Sequence, residues 1–387
     1  MPWKETRPVD ERLRFITLVN ESDDSFVEIC RQIGISRKTG YKWVTRYEEQ
    51  GLPGLLERVS VPRTTPHGTC DELVMAVLEL RKDHPTWGPK KLRARLQALG
   101  KEAVPAASTI GELLRRHGLI RPRRRRAVPP MAPTRLGPVE LPNDTWAVDF
   151  KGHFALGDKT RCHPLTITDE ATRYLLKCEG LLTPDGAGAK PHFERAFCEF
   201  GLPTRIRSDN GAPFASAGIG GLSALSVWWI RLGIQPERIE PGHPQQNGRH
   251  ERMHKTLKED ATQPPAASLG AQQRAFDRFR RVYNDERPHE ALGQKPPASR
   301  YTPSRRSMPS KLTSPEYPDT MKTRRLDDKG RLRFAGQSIS TTVSKLIANE
   351  TVGMEPIDDE RWRMFYGPVL LAEITIRGKE LRFERVR

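Results

Sequence analysis

Over the first 120 residues the apolar positions repeat at helical spacing. Leu13, Ile16 and Val19 recur at i, i+3 and i+6. Ser25-x-x-Glu28 is a capping box that opens a second helix through Ile29 and Ile33, and Gly34 stops it. Ser36 caps a third helix that closes at Gly51. A short helix, a Gly-containing turn and a following helix make a helix-turn-helix pattern. In the third helix Trp43 and Tyr47 share a face with Gly40, while Arg37, Lys38, Tyr41, Lys42 and Arg46 share the other. That second face suits a major groove, with base edges in reach of its first residues and phosphates in reach of the later ones. Gly40 weakens the helix by roughly 1 kcal/mol against Ala. Residues 71–119 repeat the theme with three helical runs, the first ended by Pro85 and the last capped by Ser108. Lys90, Lys91, Arg93 and Arg95 crowd the middle run, which predicts a second reading head.

From about residue 141 the period changes. Trp146, Val148 and Phe150 alternate with Ala147 and Asp149, the signature of a strand. Residues 161–182 read as a hairpin turning at Asp169 to Thr172. A helix follows, with Phe193, Ala196, Phe197 and Phe200 on one face, and then a short strand that ends in Asp209-Asn210-Gly211. Hairpin, helix and strand in that order predict an α/β layered domain with a mixed sheet. A second apolar helix holds Trp228 and Trp229, read as core, and a third helix begins near Gly248. It sets Glu251, Lys255 and Lys258 at i, i+4 and i+7 on one face. Residues 321–387 alternate around Asp/Lys-Gly turns, as a small β-barrel would. The expected order is therefore all-α helix-turn-helix modules at 1–60 and 61–120, a linker at 121–140, the α/β core at 141–300, a Pro/Ser-rich linker at 301–320 and a β-barrel at 321–387.

Charge narrows the partner. The 387 residues include 65 Lys+Arg and 48 Asp+Glu, a formal net charge of +17. Such a surplus favours a polyanion, either nucleic acid or an anionic membrane. No apolar run approaches the ~18 residues of a membrane span, and the N-terminus has no apolar signal core. The five cysteines, Cys30, Cys70, Cys162, Cys178 and Cys198, include no C-x-x-C pair. Reduced buried thiols in a cytosolic protein, with neither disulfides nor structural zinc, are the expectation. The surplus is densest in residues 61–140, with sixteen basic and seven acidic residues. Its peak is the run Arg121, Arg123, Arg124, Arg125 and Arg126, followed by a Pro-rich stretch. This reads as an extended arm that tracks a nucleic-acid backbone, rather than a solvated spacer.

Three acids suggest the chemistry: Asp149 in mid-strand, Asp209 at the end of another strand and Glu251 on a later helix. A carboxylate between apolar strand neighbours is costly unless it is paired or binds a cation. Converging carboxylates suit Mg²⁺ or Mn²⁺, and two such ions can clamp an in-line displacement at phosphorus.

W-x-x-D-F at 146–150, S-D-N-G at 208–211 and P-G-x-P-x-x-N-G-x-x-E at 241–251 resemble the signature blocks of bacterial insertion-sequence DDE transposases with a retroviral-integrase-type core. YNDERPHEAL at 283–292 is also similar to theirs. The resemblance covers about 140–300. It implies an RNase H-like fold, two Mg²⁺ ions, nicking at the ends of a mobile element and transfer of the 3′ ends to target DNA. By block, Asp149, Asp209 and Glu251 would be the metal-binding catalytic triad. Asn210 and Gly211 would shape the turn of the second acid, and Asn247 and Gly248 the approach to the third. Lys255 and Lys258 would hold the transferred end. A homo-oligomer on double-stranded DNA, in a bacterial cytoplasm and nucleoid-associated, is implied as well. So is a DNA-binding C-terminal β-barrel, although a packing module fits that segment too.

The chain departs from the family in the 41 residues between Asp209 and Glu251, a few more than usual. The excess reads as a flexible Gly/Ala segment, ASAGIGG. Helix-turn-helix units stand where retroviral integrases carry a zinc module. Asp169 with Arg173 reads as structural; His243, His250 and His254 as surface or packing residues; Arg287 and His289 as buried pairing groups. The alternative function is a catalytically inactive DNA-binding regulator derived from a transposase. A simple nuclease would not need two reading heads and an Arg arm.

Overall fold

The three helical runs at the N-terminus close on each other because each buries one apolar stripe. In the computed structural model, which describes residues 7–57, 68–120, 136–137, 139–240, 243–332, 342–377 and 380–385, they are α1 (Pro8–Glu21), α2 (Phe26–Ile33) and α3 (Arg37–Gln50). Arg121, Arg123, Arg124, Arg125 and Arg126 lie outside the described residues. Phe15, Ile16, Ile29, Cys30, Trp43 and Leu55 form the core of this unit. Ser25 and Ser36 accept backbone N–H bonds from Glu28 and Thr39 and so start α2 and α3. The Glu28 carboxylate pairs with Arg31, however, so the capping box is only half made. Gly40 has a steric reason. A Cβ there would stand 2.7 Å from Cys30 Sγ and 2.9 Å from Phe26, so α2 and α3 can approach only over a glycine.

A second trio, α4 (Asp71–Asp83), α5 (Pro89–Ala98) and α6 (Ala107–Arg116), packs around Val77, Trp87, Leu92, Leu96, Ile110 and Leu114. α6 begins one residue before Ser108, so Ser108 does not cap it. This trio is docked on the α/β core. Val282 joins its apolar cluster, Arg95 pairs with Glu286 at 2.7 Å, and Lys90 pairs with Glu290 at 2.9 Å. The middle helix therefore turns part of its basic face inward, not outward as a free reading head would.

The core is a mixed sheet between two helical layers. β1 (Thr145–Phe150), β3 (Arg161–Asp169) and β4 (Leu175–Leu181) are antiparallel neighbours, with the short β2 (Phe154–Ala155) on the edge of β3. The predicted hairpin is the β3–β4 pair. α7 (Gly186–Phe200) then crosses over so that β5 (Arg205–Ser208) runs parallel to β1, and α8 (Ala224–Arg231) crosses to β6 (Gln235–Arg238), parallel to β5. Alternation sends Trp146, Val148, Leu165 and Ile167 to one face, against Phe193 and Phe197 of α7 and Trp228 and Trp229 of α8. The opposite face meets α9 (Gly248–Ala261) and α10 (Leu269–Arg281) through Met253, Leu257, Phe276 and Phe279.

The segment 301–320 has no helix or strand, yet it is pinned to the core. Tyr301 stacks on Tyr174 at 4.3 Å, and Arg306 donates to the Pro203 and Gly233 carbonyls, each at 2.7 Å. Beyond it, β7 (Lys322–Arg325), β8 (Thr351–Pro356), β9 (Arg361–Tyr366), β10 (Val369–Arg377) and β11 (Glu380–Arg385) form one antiparallel sheet in the order β11-β10-β9-β8-β7. Its outer strands do not pair with each other among the described residues, so it is an open sheet there and not the closed barrel expected. The sheet docks on the core where Ile219, Leu222, Val227 and Ile230 join Met364, Tyr366 and Leu371 in one apolar cluster. ASAGIGG is thus a docking loop rather than a flexible spacer. Gly221, at φ +64°, leaves room for the Arg238 guanidinium, which bonds the Gly220 carbonyl at 2.9 Å.

Candidate active site

β1 and β5 are parallel neighbours with Ala147 level with Arg207. Two residues on, Asp149 and Asp209 arrive side by side at the C-terminal ends of the two strands, where open α/β sheets place their ligands. Ser208 is buried at the end of β5, and the chain then turns sharply. The Gly211 N–H donates to Asp209 Oδ1 at 3.1 Å, and Asn210 Nδ2 donates to the Ile239 carbonyl at 2.8 Å. Asn247 sits at the N-cap of α9 but caps no backbone N–H; its Nδ2 lies 3.4 Å from Asp149 Oδ2. Gly248 opens α9, and a Cβ there would meet nothing within 4 Å. Glu251 follows in the first turn. Glu251, Lys255 and Lys258 are all exposed, on the face the spacing predicted.

Among the described residues the three acids do not gather at ligand distance of one another, but Asp209 and Glu251 are near enough for their charges to act on Asp149. Burial pushes the Asp149 carboxyl up to about 7, the charges of Asp209 and Glu251 push the same way, and the Phe150 N–H and Lys151 oppose them. A buried carboxyl raised further by neighbouring carboxylates marks a site short of positive charge.

The inward stripe of α9 is His250, Met253, His254 and Leu257. Both histidines are buried, contrary to a surface reading, and burial holds both neutral, at about 3 for His250 and about 2 for His254. They face the strand partners of Ala147 and Asp149, which are Thr168 and Thr166. Thr168 Oγ is 2.9 Å from His250 Nδ1, and Thr166 Oγ is 2.7 Å from both His250 Nε2 and His254 Nε2. The remaining nitrogen, His254 Nδ1, stands 3.7 Å from Asp149 Oδ2. Asp149, His250 and His254 could hold a metal ion, since one donor atom of each lies within 4.8 Å of the others. Three of the four ring nitrogens, however, already have hydroxyl partners. Sequence reading left surface and packing open for this pair; the i, i+4 spacing on the stripe of Met253 and Leu257 carries the signal for packing.

Asp169 is structural. It accepts from the Asn143 and Thr172 backbone N–H groups at 2.7 and 2.8 Å and from the Thr172 hydroxyl at 2.6 Å. Arg173 pairs instead with the buried Glu170, which also meets Arg207 and Arg249. Arg287 pairs with Asp260 at 3.4 Å, His289 is half-buried, and His243 lies 3.7 Å from Glu240. On the N-terminal unit Arg37, Lys38, Tyr41 and Lys42 are exposed and Arg46 is half-buried. Lys42 and Arg46 lie over the Trp43 ring, and Tyr41 stacks on Phe26 at 4.3 Å. On α5 Arg93 is exposed, whereas Lys91 is half-buried. Of the five cysteines, Cys70 and Cys198 are exposed and the other three buried, so burial is not general. No helix among the described residues is long and apolar enough to cross a membrane.

Residues 140–244 and 232–297 match the integrase core domain family, and residues 6–56 and 39–114 match homeodomain-like domains. An uncharacterized 39.2 kDa protein of insertion element IS476 from Xanthomonas euvesicatoria is 30% identical over 252 residues, 64% of this chain and 69% of that protein. An uncharacterized 31.7 kDa protein of insertion element IS407 from Burkholderia multivorans is 26% identical over 271 residues, 70% of this chain and 87% of that one. Among solved structures, the HTLV-2 integrase catalytic core in complex with magnesium aligns at 16% identity, covering 42% of this chain and 97% of that one, with a TM-score of 0.34. The core sheet, the matching families and the insertion-element relatives lead to one conclusion: this chain belongs to the insertion-sequence transposases with an integrase-type core.

Proposed function

We propose that Asp149, Asp209 and Glu251 are the catalytic, metal-binding residues with which this protein nicks the ends of a mobile DNA element and joins the 3′ ends to target DNA. What supports this is the register of β1 on β5 together with the Asp149 carboxyl, which burial first and the charges of Asp209 and Glu251 next push up to about 7. An all-oxygen set of this kind suits Mg²⁺, with Mn²⁺ as a substitute. Two such ions would supply Lewis-acid stabilisation of an in-line displacement at phosphorus.

The protein's own part is positioning. Rigid strands fix two of the acids, and the Asn210-Gly211 turn aims the second. Asn247 and Gly248 set the approach of Glu251, and Lys255 and Lys258 hold substrate phosphates. Arg37, Lys38, Tyr41, Lys42 and Arg46 read the element end, with Arg93 and the Arg121–Arg126 arm on the backbone. Pairing two ends calls for at least a dimer on DNA. An inactive regulator would gain nothing from a buried carboxylate set beside other acids.

The test is direct. Asp149→Asn, Asp209→Asn and Glu251→Gln should each abolish Mg²⁺-dependent nicking and joining while leaving end binding intact. Strand transfer retained by any one of them would sink the assignment.

A further inference from the structure

A cleft of about 870 Å³ lies between the docked second trio and the catalytic helix. Its walls are the start of α5, the exposed face of α9 and the turn around Arg287 and Glu290. Lys255, which lines it, stands one turn beyond Glu251 on α9, whereas none of the three acids lines it.

Seven cationic side chains and two carboxylates line this cleft. Some of the cations are locally neutralised: Lys90 by Glu290, Arg287 by Asp260, and Arg173 and Arg249 by Glu170. Lys91, Arg252 and Lys255 have no carboxylate within ion-pair distance among the described residues. Lys91 shows the cost. Burial and the neighbouring Arg287 pull its ammonium down to about 8. The start of α5 adds to the imbalance. Its first turn carries Lys90 and Lys91 and no acid, and Gly88 offers no side-chain cap. Cations there oppose the helix dipole, and an anion would relieve them. An ammonium held in such surroundings calls for a ligand with negative charge spaced along it.

We propose that this cleft holds the phosphate backbone of the DNA strand whose end is processed, so that the second trio acts as one wall of the catalytic cleft and not as an independent reading head. Lys91, Arg252 and Lys255 are its backbone contacts, with Arg287 behind Lys91. The docking pairs Arg95–Glu286 and Lys90–Glu290 hold the two walls together. The proposal rests on the DNA-processing reading above but concerns binding, which can be measured without the chemistry.

The test uses the full chain and a fluorescent random duplex of about 30 base pairs, titrated against salt in EDTA. Phosphate contacts are independent of sequence, and each lost contact lowers the slope of log K against log salt by about 0.9. The Lys91→Ala, Arg252→Ala double variant should lower the slope by about 1.8 and weaken binding at least tenfold at about 0.1 M salt, while Lys311→Ala, outside the cleft, leaves the slope unchanged. A second arm needs no variant. On the wild-type chain the duplex should protect Lys91 and Lys255 from an amine-acylating reagent. An unchanged slope in a folded double variant, or equal acylation with and without duplex, overturns the proposal; the acylation arm decides alone if the variant misfolds. The nicking assay separates the two readings. Joining that survives Asp149→Asn defeats the catalytic assignment and leaves the slope result standing, and the reverse also holds.

Discussion

His254 Nδ1 faces Asp149 Oδ2 across 3.7 Å, at the end of a buried chain that runs Thr168, His250, Thr166, His254. With His254 neutral, the approach is a dipole contact and not an ion pair. Proton bookkeeping allows one direction that suits an ionised Asp149. It gives the one Thr166 proton to His254 Nε2 rather than to the Asp149 backbone carbonyl 3.2 Å away: the Thr168 hydroxyl donates to His250 Nδ1, His250 Nε2–H to Thr166 and the Thr166 hydroxyl to His254 Nε2, leaving Nδ1–H toward the carboxylate. The opposite direction would aim a lone pair at it.

The first prediction follows from that chain. Supporting partners behind a metal-ligating group typically matter 10- to 100-fold. His254→Ala should therefore raise the Mg²⁺ concentration needed for half-maximal nicking by about that factor, with duplex affinity in EDTA unchanged. An unchanged Mg²⁺ requirement would remove His254 from any positioning role.

Removing the Asp149 charge should stabilise the cation-free protein. The folded carboxyl keeps its proton to about 7, against an ordinary 3.8. Between these values the folded state binds more protons, so stability falls as pH rises through the window. Above pH 7, in EDTA, Asp149→Asn should be more stable than the wild type by about 1–3 kcal/mol. Mg²⁺ should raise the Tm of the wild type and leave that of Asp149→Asn nearly unchanged. Thermal melts with and without Mg²⁺ at pH 6 and 8 check both statements.

The buried histidines act in the opposite sense. His250 and His254 stay neutral to about 3 and about 2, whereas an unfolded histidine protonates near 6.5. Below that value the unfolded chain binds the extra protons, so stability is lost as pH falls from about 6.5 toward 3. His250→Asn should flatten the dependence of unfolding free energy on pH by up to about 1.4 kcal/mol per pH unit. Urea unfolding between pH 4 and 6.5 measures that slope.

Gly40→Ala should reverse the usual helix rule. At an ordinary interior position the change gains up to about 1 kcal/mol. Here the added methyl meets Cys30 Sγ at 2.7 Å, and overpacking costs about 1–3 kcal/mol. Limited proteolysis should cut the N-terminal unit of the variant faster than that of the wild type.

Much of this was legible in the sequence because it depends on local periodicity. The period-two run at 146–150, the turn after Asp209, the inward aromatic stripe of α7 and the shared face of Glu251, Lys255 and Lys258 are all short-range patterns. Trp228 and Trp229 were readable as core for the same reason. Gly40 was visible as an anomaly, but its cause, the approach of Cys30 and Phe26 on another helix, was not.

The sequence alone determined the order of elements, the basic balance and the three acids, since helical and strand spacing and turn residues act within a few positions. Tertiary structure decided what pairing at a distance decides. Parallel β1 and β5 brought Asp149 level with Asp209, and the α9 stripe turned His250 and His254 onto Thr166 and Thr168. The docking of α5 on the core made its start one wall of a cleft. The C-terminal strands formed an antiparallel sheet, open among the described residues, whose apolar face the ASAGIGG loop and α8 cover. Each of these follows from burial of apolar surface between segments far apart in the chain, and no local pattern carries that information.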